Sequence, residues 1–185
     1  MTTLEKAAHG RRALRSPRTR THPPSARFRW ARILAAALIP VLIVLAVRTW
    51  LVEPFTVSSD SMEPTIHSGA IVLLYKPAAA TGGIRNSVVV AFASPVDGRT
   101  AIKRVIALEG QSVAIRDSEL FVDDVAVPEP FVDHSRIDGT YFGPEKVPAG
   151  SVFVLGDNRG VSIDSRDFGA VPLTAIQGVL ITGQK

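Results

Sequence analysis

The most hydrophobic stretch of the chain is a single run near its N-terminus. Residues 33–47 carry no charged or strongly polar side chain, Arg32 and Arg48 flank them, and a tryptophan lies two residues beyond each arginine. Fifteen helical residues rise ~22 Å, but arginines that extend toward the interfaces lengthen the span to about 20 residues, enough for a ~30 Å hydrocarbon core. Tryptophan at both ends is typical of membrane helices. We therefore predict a transmembrane anchor over residues 31–52.

Three other interpretations of this run stay open from the sequence. A buried core helix can have this length, although it leaves the flanking tryptophans and arginines unexplained. A cleaved secretory signal has the same basic-then-apolar order, but small residues should follow the apolar part, and Arg48-Thr49-Trp50-Leu51 stands there instead. An organelle transit peptide is also rich in arginine and poor in acids. A retained anchor explains the flanking residues best.

After Pro54 the pattern changes to short β-branched and apolar runs separated by Gly, Pro and Asp. No later segment keeps a helical period, so the runs are typical of strands. The predicted strands are Ile71–Tyr75, Ser87–Phe92, Ala101–Leu108, Ser112–Ile115, Glu119–Val122 and Ser151–Leu155. Turns are predicted at Gly110, Asp117-Ser118 and Asp123-Asp124. The predicted fold is mainly β: an antiparallel, barrel-like domain over residues 53–185, preceded by the single transmembrane helix.

Charge is divided unequally along the chain. Residues 1–32 hold nine Lys and Arg against one acid, a net charge of +8, whereas residues 33–185 hold twelve bases against sixteen acids, a net charge of −4. The positive excess therefore belongs to a tail, interpreted as a flexible cytoplasmic segment over residues 1–30, and a nucleic-acid-binding domain is not indicated. The positive-inside rule predicts a cytoplasmic N-terminus and a β domain on the other side of the membrane.

The residue types narrow the possible chemistry. The chain has no cysteine, which excludes disulfides, thiol nucleophiles and zinc–thiolate sites. Serine is available, because Ser58, Ser59 and Ser61 cluster just beyond the anchor, but a serine needs a base within hydrogen-bond reach. His67 and His134 lie in polar loops, and the other two histidines belong to the basic tail. A Ser-His-Asp triad is therefore poorly supported.

Lysine is the alternative base. Lys103 lies inside the apolar predicted strand Ala101–Leu108, where burial would favour the neutral amine, whereas Lys76 and Lys146 lie near prolines in what we predict to be exposed loops. The neighbouring Arg104 cannot serve, since a guanidinium stays protonated. A lysine in a strand more often faces solvent, so the wider sequence context has to decide.

Three segments follow one another after the anchor. They are SDSMEPTI at Ser59–Ile66, KRVI at Lys103–Ile106 and GDNRGVSIDSRDFG at Gly156–Gly169. In order, they resemble the serine box SxSMxPT(L/I), the lysine box KRV(I/V) and the third box GDNRxxSxDSRxxG of the type I signal peptidases. A basic N-terminus followed by a membrane span is also typical of that family. The resemblance covers about residues 30–180, and it suggests a compact member without the large second β domain that some members have.

The resemblance implies roles for individual residues. Ser61 matches the nucleophile and Lys103 the general base of a Ser-Lys dyad. Ser59 matches a side-chain donor that stabilises the oxyanion together with the Ser61 backbone N–H, and Ser162 matches a serine that hydrogen-bonds the lysine amine. Residues that brace the site by hydrogen bonds and ion pairs are expected at Asp157, Asp164 and Arg166.

The substrate is expected to bind between apolar walls in an extended conformation. The candidates for these walls are Val57, Met62 and Ile102, with Phe55 nearby, and the family also places Met62 beneath the nucleophile turn. These walls carry no charge, so we expect recognition by size. The resemblance implies small residues, typically alanine, one and three positions before the scissile bond.

Taken together, the sequence predicts a membrane-anchored serine endopeptidase that cleaves signal peptides from exported preproteins at the outer face of the bacterial cytoplasmic membrane. No metal and no cofactor are expected. The expected partners are signal peptides, membrane lipid and the secretion translocon, and no nucleic acid. Two alternatives stay open: a specialised relative serving pilus assembly or conjugation, and a catalytically silent, membrane-tethered assembly or binding factor. A self-cleaving Ser-Lys repressor would lack both the anchor and the third box.

Overall fold

The computed structural model describes residues 26–134 and 139–181, so the predictions about tail residues 1–25 lie outside the described residues. Helix α1 spans Ala26–Trp50 and contains Pro40, which membrane helices tolerate. Its part from Trp30 is long and apolar enough to cross a membrane and is exposed throughout, as a membrane anchor requires. The chain divides into two units between Val41 and Leu42, inside this helix.

The helix ends two residues before the predicted end of the anchor, because Val52 is already the first residue of a strand. The strands are β1 Val52–Thr56, β2 Ile71–Tyr75, β3 Val89–Ala93, β4 Thr100–Leu108, β5 Ser112–Arg116, β6 Glu119–Val122, β7 Val125–Ala126, β8 Phe142–Lys146, β9 Ser151–Leu155, β10 Val171–Pro172 and β11 Ile176–Leu180. Two one-turn helices, α2 Pro77–Ala80 and α3 Ser165–Phe168, and a 3-10 turn at Leu173–Ala175 complete the described elements. The predicted division into a tail over residues 1–30, an anchor over residues 31–52 and a β domain over residues 53–185 stays a prediction.

The strands form two antiparallel sheets. A seven-stranded sheet has the order β1-β2-β11-β3-β4-β9-β10, and a four-stranded sheet has the order β7-β6-β5-β8. The predicted mainly β, antiparallel fold after a single apolar helix is therefore confirmed. The smaller sheet is short, and β9 of the larger sheet packs against it through Phe153, whose ring lies 5.4 Å from that of Phe142 on β8.

All six predicted strands are present, with ends that move by at most two residues. The unpredicted β1 and β8 carry prolines, and both lie at sheet edges, where a missing N–H is tolerated. Lys146 lies at the end of β8, so our prediction of a loop there is wrong. The predicted turns are confirmed: Asp117-Ser118 and Asp123-Asp124 all have positive φ, as two-residue hairpin turns require.

One apolar cluster supports the region where the three boxes meet. Val57, Met62 and Ile102 are buried in it together with residues of β2, β3 and β11. Burying a Met or Ile side chain contributes roughly 1.5–3 kcal/mol, so this cluster holds the β1–β2 connection firmly against β4.

Candidate active site

The segment with the serines connects β1 to β2. Its ends are tied together, because the Val57 N–H donates to the Ala70 carbonyl over 2.9 Å and the Gly69 N–H donates to the Val57 carbonyl over 2.8 Å. Between them, Met62 is 1% exposed and anchors the turn in the apolar cluster, as predicted for a residue beneath the nucleophile. The neighbouring Ser61 is thereby held at the edge of β4.

Ser61 and Lys103 meet at this edge. The Lys103 Nζ donates a hydrogen bond of 2.6 Å to the Ser61 Oγ, and the two residues are 5% and 7% exposed. The Ser59 Oγ lies 3.1 Å from the Ser61 Oγ, within hydrogen-bond distance. Three residues that were predicted to act together are thus in contact, although Lys103 lies 42 positions from Ser61 in the chain.

Burial dominates the electrostatics of the lysine. It lowers the pKa of Lys103 from its ordinary value of 10.5, and the charge of Arg166 acts in the same direction, whereas nearby aspartates, chiefly Asp164, raise it. Within the described residues Lys103 forms no ion pair, and its hydrogen bond goes to a neutral hydroxyl. An amine in this environment gives up its proton more readily than a solvated one.

Ser162 does not make the expected hydrogen bond to the Lys103 amine. Its Oγ is buried and has no hydrogen-bond partner among the described residues. It packs instead against Gly156, where an added Cβ would lie 2.2 Å from the Ser162 Oγ and 2.6 Å from the Ser61 carbonyl oxygen. Only glycine fits there, and the role of Ser162 toward the lysine stays a prediction.

Asp164 and Arg166 connect the beginning of the third box, at Gly156, to its later part. The Asp164 carboxylate is fully buried, accepts the Gly156 N–H over 3.0 Å, and receives Arg166 at both oxygens over 2.8 and 2.9 Å. Burial opposes the charge of Arg166, but the hydrogen bond and charge of Asp164 outweigh it, so the pKa of Arg166 is raised. This geometry agrees with a bracing role.

Asp157 is braced by Arg104, a residue that the sequence analysis considered only as a base. The guanidinium donates to both carboxylate oxygens over 2.8 and 2.6 Å and to the Ser87 carbonyl over 2.8 Å. It also lies 4.0 Å from the centre of the Phe131 ring. The sequence analysis did not single out Arg159 and Glu129 either, which form a second buried ion pair.

A cleft of about 250 Å³ opens beside Ser61. The four apolar candidates Phe55, Val57, Met62 and Ile102 all line it, but so do Asp97 and Arg99 of the β3–β4 loop. The expectation of uncharged walls is therefore incomplete. On the side of β4 away from β3, strand pairing with β9 begins only at Arg104, so among the described residues no strand covers that edge of Thr100–Lys103.

No group of three or more His, Asp or Glu side chains within residues 26–134 and 139–181 is arranged to hold a metal ion. The prediction that neither a metal nor a cofactor takes part stays a prediction. What the described residues do offer is a hydroxyl, a buried amine and an open strand edge, which suit attack on the carbonyl of an extended peptide.

The family model described as "Signal peptidase, peptidase S26" matches residues 29–182. The signal peptidase I of Bacillus licheniformis is 33% identical over 155 residues, which cover 80% of this chain and 82% of that protein. Signal peptidase I V of Bacillus subtilis (strain 168) is 34% identical over 157 residues, 78% of this chain and 93% of that protein. A crystal structure of a signal peptidase I from Enterococcus faecalis V583 is 32% identical, with a TM-score of 0.48, and the match covers 52% of this chain and 96% of that one.

Proposed function

The chain belongs to the signal peptidase family, peptidase S26, and from this premise we propose that Ser61 and Lys103 are its catalytic dyad. Members of the family are membrane-anchored serine endopeptidases that act on signal peptides, and the chain is a serine endopeptidase of this kind. The observation that carries the proposal is the 2.6 Å hydrogen bond between the Lys103 Nζ and the Ser61 Oγ, both buried.

In the proposed reaction the neutral amine of Lys103 takes the proton of the Ser61 hydroxyl while the Oγ attacks the carbonyl carbon of the scissile bond. The Ser61 backbone N–H and the Ser59 hydroxyl stabilise the resulting oxyanion. The lysine ammonium then gives its proton to the leaving amine as the C–N bond breaks, which leaves an acyl-enzyme. Water, deprotonated by the same amine, then attacks the ester carbonyl. As the C–Oγ bond breaks, the lysine ammonium returns this proton to the Ser61 Oγ, and the new C-terminus leaves as a carboxylic acid.

A preprotein cleavage assay with purified full-length protein in detergent micelles tests this proposal. Wild type should release the signal peptide, and Ser61→Ala should not, although its circular dichroism and Tm stay like those of wild type. Equal cleavage by both proteins would exclude Ser61 as the nucleophile. A folded wild type without activity would favour the alternative of a catalytically silent assembly factor.

We place the signal peptide along the free edge of Thr100–Lys103, as an added strand. The side chains one and three positions before the cut then point the same way, into the walls formed by Val57, Met62 and Ile102, and the one between them points outward. An unpaired charge against these three apolar side chains would cost several kcal/mol, and a large side chain would clash with them.

Preprotein variants test this placement. Ala→Asp or Ala→Phe at either inward position should block cleavage, whereas the same changes at the intervening position should be tolerated. A preference for basic or aromatic residues directly before the cut would contradict the pocket assignment.

We also propose that the β domain lies on the outer face of the cytoplasmic membrane, because the net charge is +8 over residues 1–32 and −4 over the remainder. There it would meet preproteins leaving the translocon, with lipid around α1. Protease added to intact spheroplasts should digest the β domain. A protected domain that becomes digestible only after lysis would reverse the orientation.

A further inference from the structure

Glu129 forms a buried ion pair that the proposed reaction does not use. Its carboxylate accepts a hydrogen bond of 2.9 Å from the Arg159 Nη1 and a second one from the Nη2, and both side chains are 2% exposed. Glu129 follows β7 of the smaller sheet, whereas Arg159 belongs to the third box. Because desolvation offsets much of the attraction in a buried pair, such a pair is weak evidence for a role in stability alone.

A third N–H group of Arg159 connects this ion pair to the active site. The Nε donates to the Gly156 carbonyl over 3.0 Å, while the Gly156 N–H donates to Asp164 over 3.0 Å. Both polar backbone groups of Gly156 are therefore held by buried charged side chains. This glycine cannot shift without breaking a charge-assisted hydrogen bond.

Gly156 and the residues after it contact the backbone of the nucleophile. A Cβ at Gly156 would lie 2.6 Å from the Ser61 carbonyl oxygen, so the two backbones are in direct contact. The Asn158 N–H donates to the same oxygen over 3.0 Å. The position of the third box thus determines where the Ser61 peptide lies, and with it the direction of the Ser61 Oγ toward Lys103.

The segment around Glu129 is connected to the third box a second time, indirectly through Arg104 of β4. Two residues later, the Phe131 ring packs against the guanidinium of Arg104, which holds Asp157 at both carboxylate oxygens. The Val132 N–H donates to the Glu129 carbonyl over 3.0 Å, and Val132 is buried, so the segment is itself a fixed turn. It therefore supports the third box at Arg159 directly and at Asp157 through Arg104.

We propose that Glu129 is a positioning residue for catalysis, which orients Ser61 through Arg159 and the Gly156 carbonyl. The proposal rests on the Ser61–Lys103 dyad proposed above. Glu129 is separated from Ser61 by Arg159 and Gly156. We therefore expect it to act on the geometry of the dyad and not to touch the substrate. Loss of its charge should slow the chemical step and leave substrate binding in the cleft unchanged.

The test compares kcat and KM for preprotein cleavage by the full chain in detergent micelles, at a temperature where circular dichroism shows every variant folded. Glu129→Gln should lower kcat by about 10- to 100-fold, as expected for a small misplacement of a reacting group, with KM within about threefold of wild type. Asp124→Asn is the control, because Asp124 pairs with Arg116 at an exposed site in the turn between β6 and β7. It should behave like wild type.

The double variant Glu129→Leu/Arg159→Met separates positioning from stability. Apolar residues in place of a buried ion pair are often neutral for stability, so its Tm should lie close to that of wild type. Its kcat should stay low, because the Gly156 carbonyl has lost its donor. A folded double variant whose kcat lies within about twofold of wild type would overturn the proposal, because misplacement of a reacting group should lower kcat by much more than twofold.

Activity of the reference proteins distinguishes the two proposals. An inactive wild type, or a Ser61→Ala variant as active as wild type, would overturn the dyad and this inference with it. An active wild type, an inactive Ser61→Ala and unaffected Glu129 variants would overturn the positioning role alone.

Discussion

Lys103 and Arg104 are adjacent on β4, almost equally buried, and placed in opposite electrostatic surroundings. Arg104 is 4% exposed and meets the Asp157 carboxylate at both oxygens, with the Ser87 carbonyl and the Phe131 ring as further partners. Lys103 is 5% exposed, and within the described residues its hydrogen bond goes to a neutral hydroxyl. Burial lowers the pKa of Lys103, whereas the charge of Arg104 is balanced by the negative charge of Asp157.

The difference shows how one strand can serve two purposes. A cation paired with a carboxylate stays charged and holds two segments together, whereas a cation buried without a counter-ion is poised to lose its proton. We therefore expect substitutions of Lys103 to affect activity and those of Arg104 to affect stability first. Each prediction below tests this separation.

The largest effect is expected at the dyad. Lys103→Met, Lys103→Arg and Ser61→Ala should each lower kcat by about 10⁴-fold or more, as losses of a nucleophile or its base do in other serine proteases. Arginine fails although it keeps the charge, because it cannot release its proton at ordinary pH. Single-turnover cleavage of a preprotein measures the loss, and the Tm of Lys103→Met and Ser61→Ala should not fall.

Two variants act as controls for the dyad. Lys76→Met removes a lysine that pairs with Glu53 at the surface, and His67→Ala removes an exposed histidine near Ser61 in the chain. Both should keep activity within several-fold of wild type. An inactive His67→Ala enzyme would show that the base is not Lys103.

The next effect is on stability. Arg104→Met leaves the Asp157 carboxylate buried without its counter-ion and should lower the free energy of unfolding by about 3–5 kcal/mol. Arg116→Met breaks the exposed pair with Asp124 and should cost only about 0–1 kcal/mol. Guanidinium titration of both variants measures the contrast. If Arg104→Met were as stable as Arg116→Met, the two neighbours on β4 would not differ in the way we describe.

Substitution of Ser59 tests whether catalysis in the cleft depends on an uncharged hydrogen-bond donor. Ser59→Ala should lower kcat by about 10²- to 10³-fold, since losing one oxyanion donor costs about 2.7–4 kcal/mol, while the free energy of unfolding should barely change. Ser58→Ala, at the neighbouring exposed position, is the matched control. Equal rates for the two variants would assign the oxyanion to other donors.

Local sequence patterns predict much of this molecule because their causes are local. The hydrophobic run predicts α1, and the residues at Asp117-Ser118 predict a turn, since both features depend on a few neighbouring residues. The Asp97-Gly98 pair between β3 and β4 is a further hairpin signal that our sequence analysis did not use. Strand β8 was missed because a glycine, a proline and two charges hide an edge strand.

Features that depend on distant pairing could not be predicted in the same way. The burial of Lys103 follows from its apolar strand, but the partner of Arg104 lies 53 positions away and that of Arg159 lies 30 positions away. Nothing near Glu129 in the sequence indicates that its carboxylate is buried. Family resemblance named Asp157 as a bracing residue, yet only the folded chain shows which cation holds it.

The smallest expected effect is a pH dependence of stability that belongs to Lys103. Its pKa is lowered in the folded chain, so between that value and 10.5 the unfolded chain binds more protons than the folded one. The free energy of unfolding should therefore rise across this window by at most about 1.4 kcal/mol per pH unit, and activity should rise with pH through the folded pKa as the neutral amine forms. Below the folded pKa both states are protonated and this contribution has no slope.

Lys103→Met isolates the effect, because other titrating groups contribute alike to wild type and variant. The difference in unfolding free energy, wild type minus Lys103→Met, should be lowest at neutral pH and increase toward pH 10.5, whereas the difference for Lys76→Met should stay nearly flat. A wild-type advantage that decreases as the pH rises would mean that the folded chain holds the Lys103 proton more tightly than the unfolded chain does. Lys103 would then resemble Arg104 as a paired cation, and the contrast between the two residues would be lost.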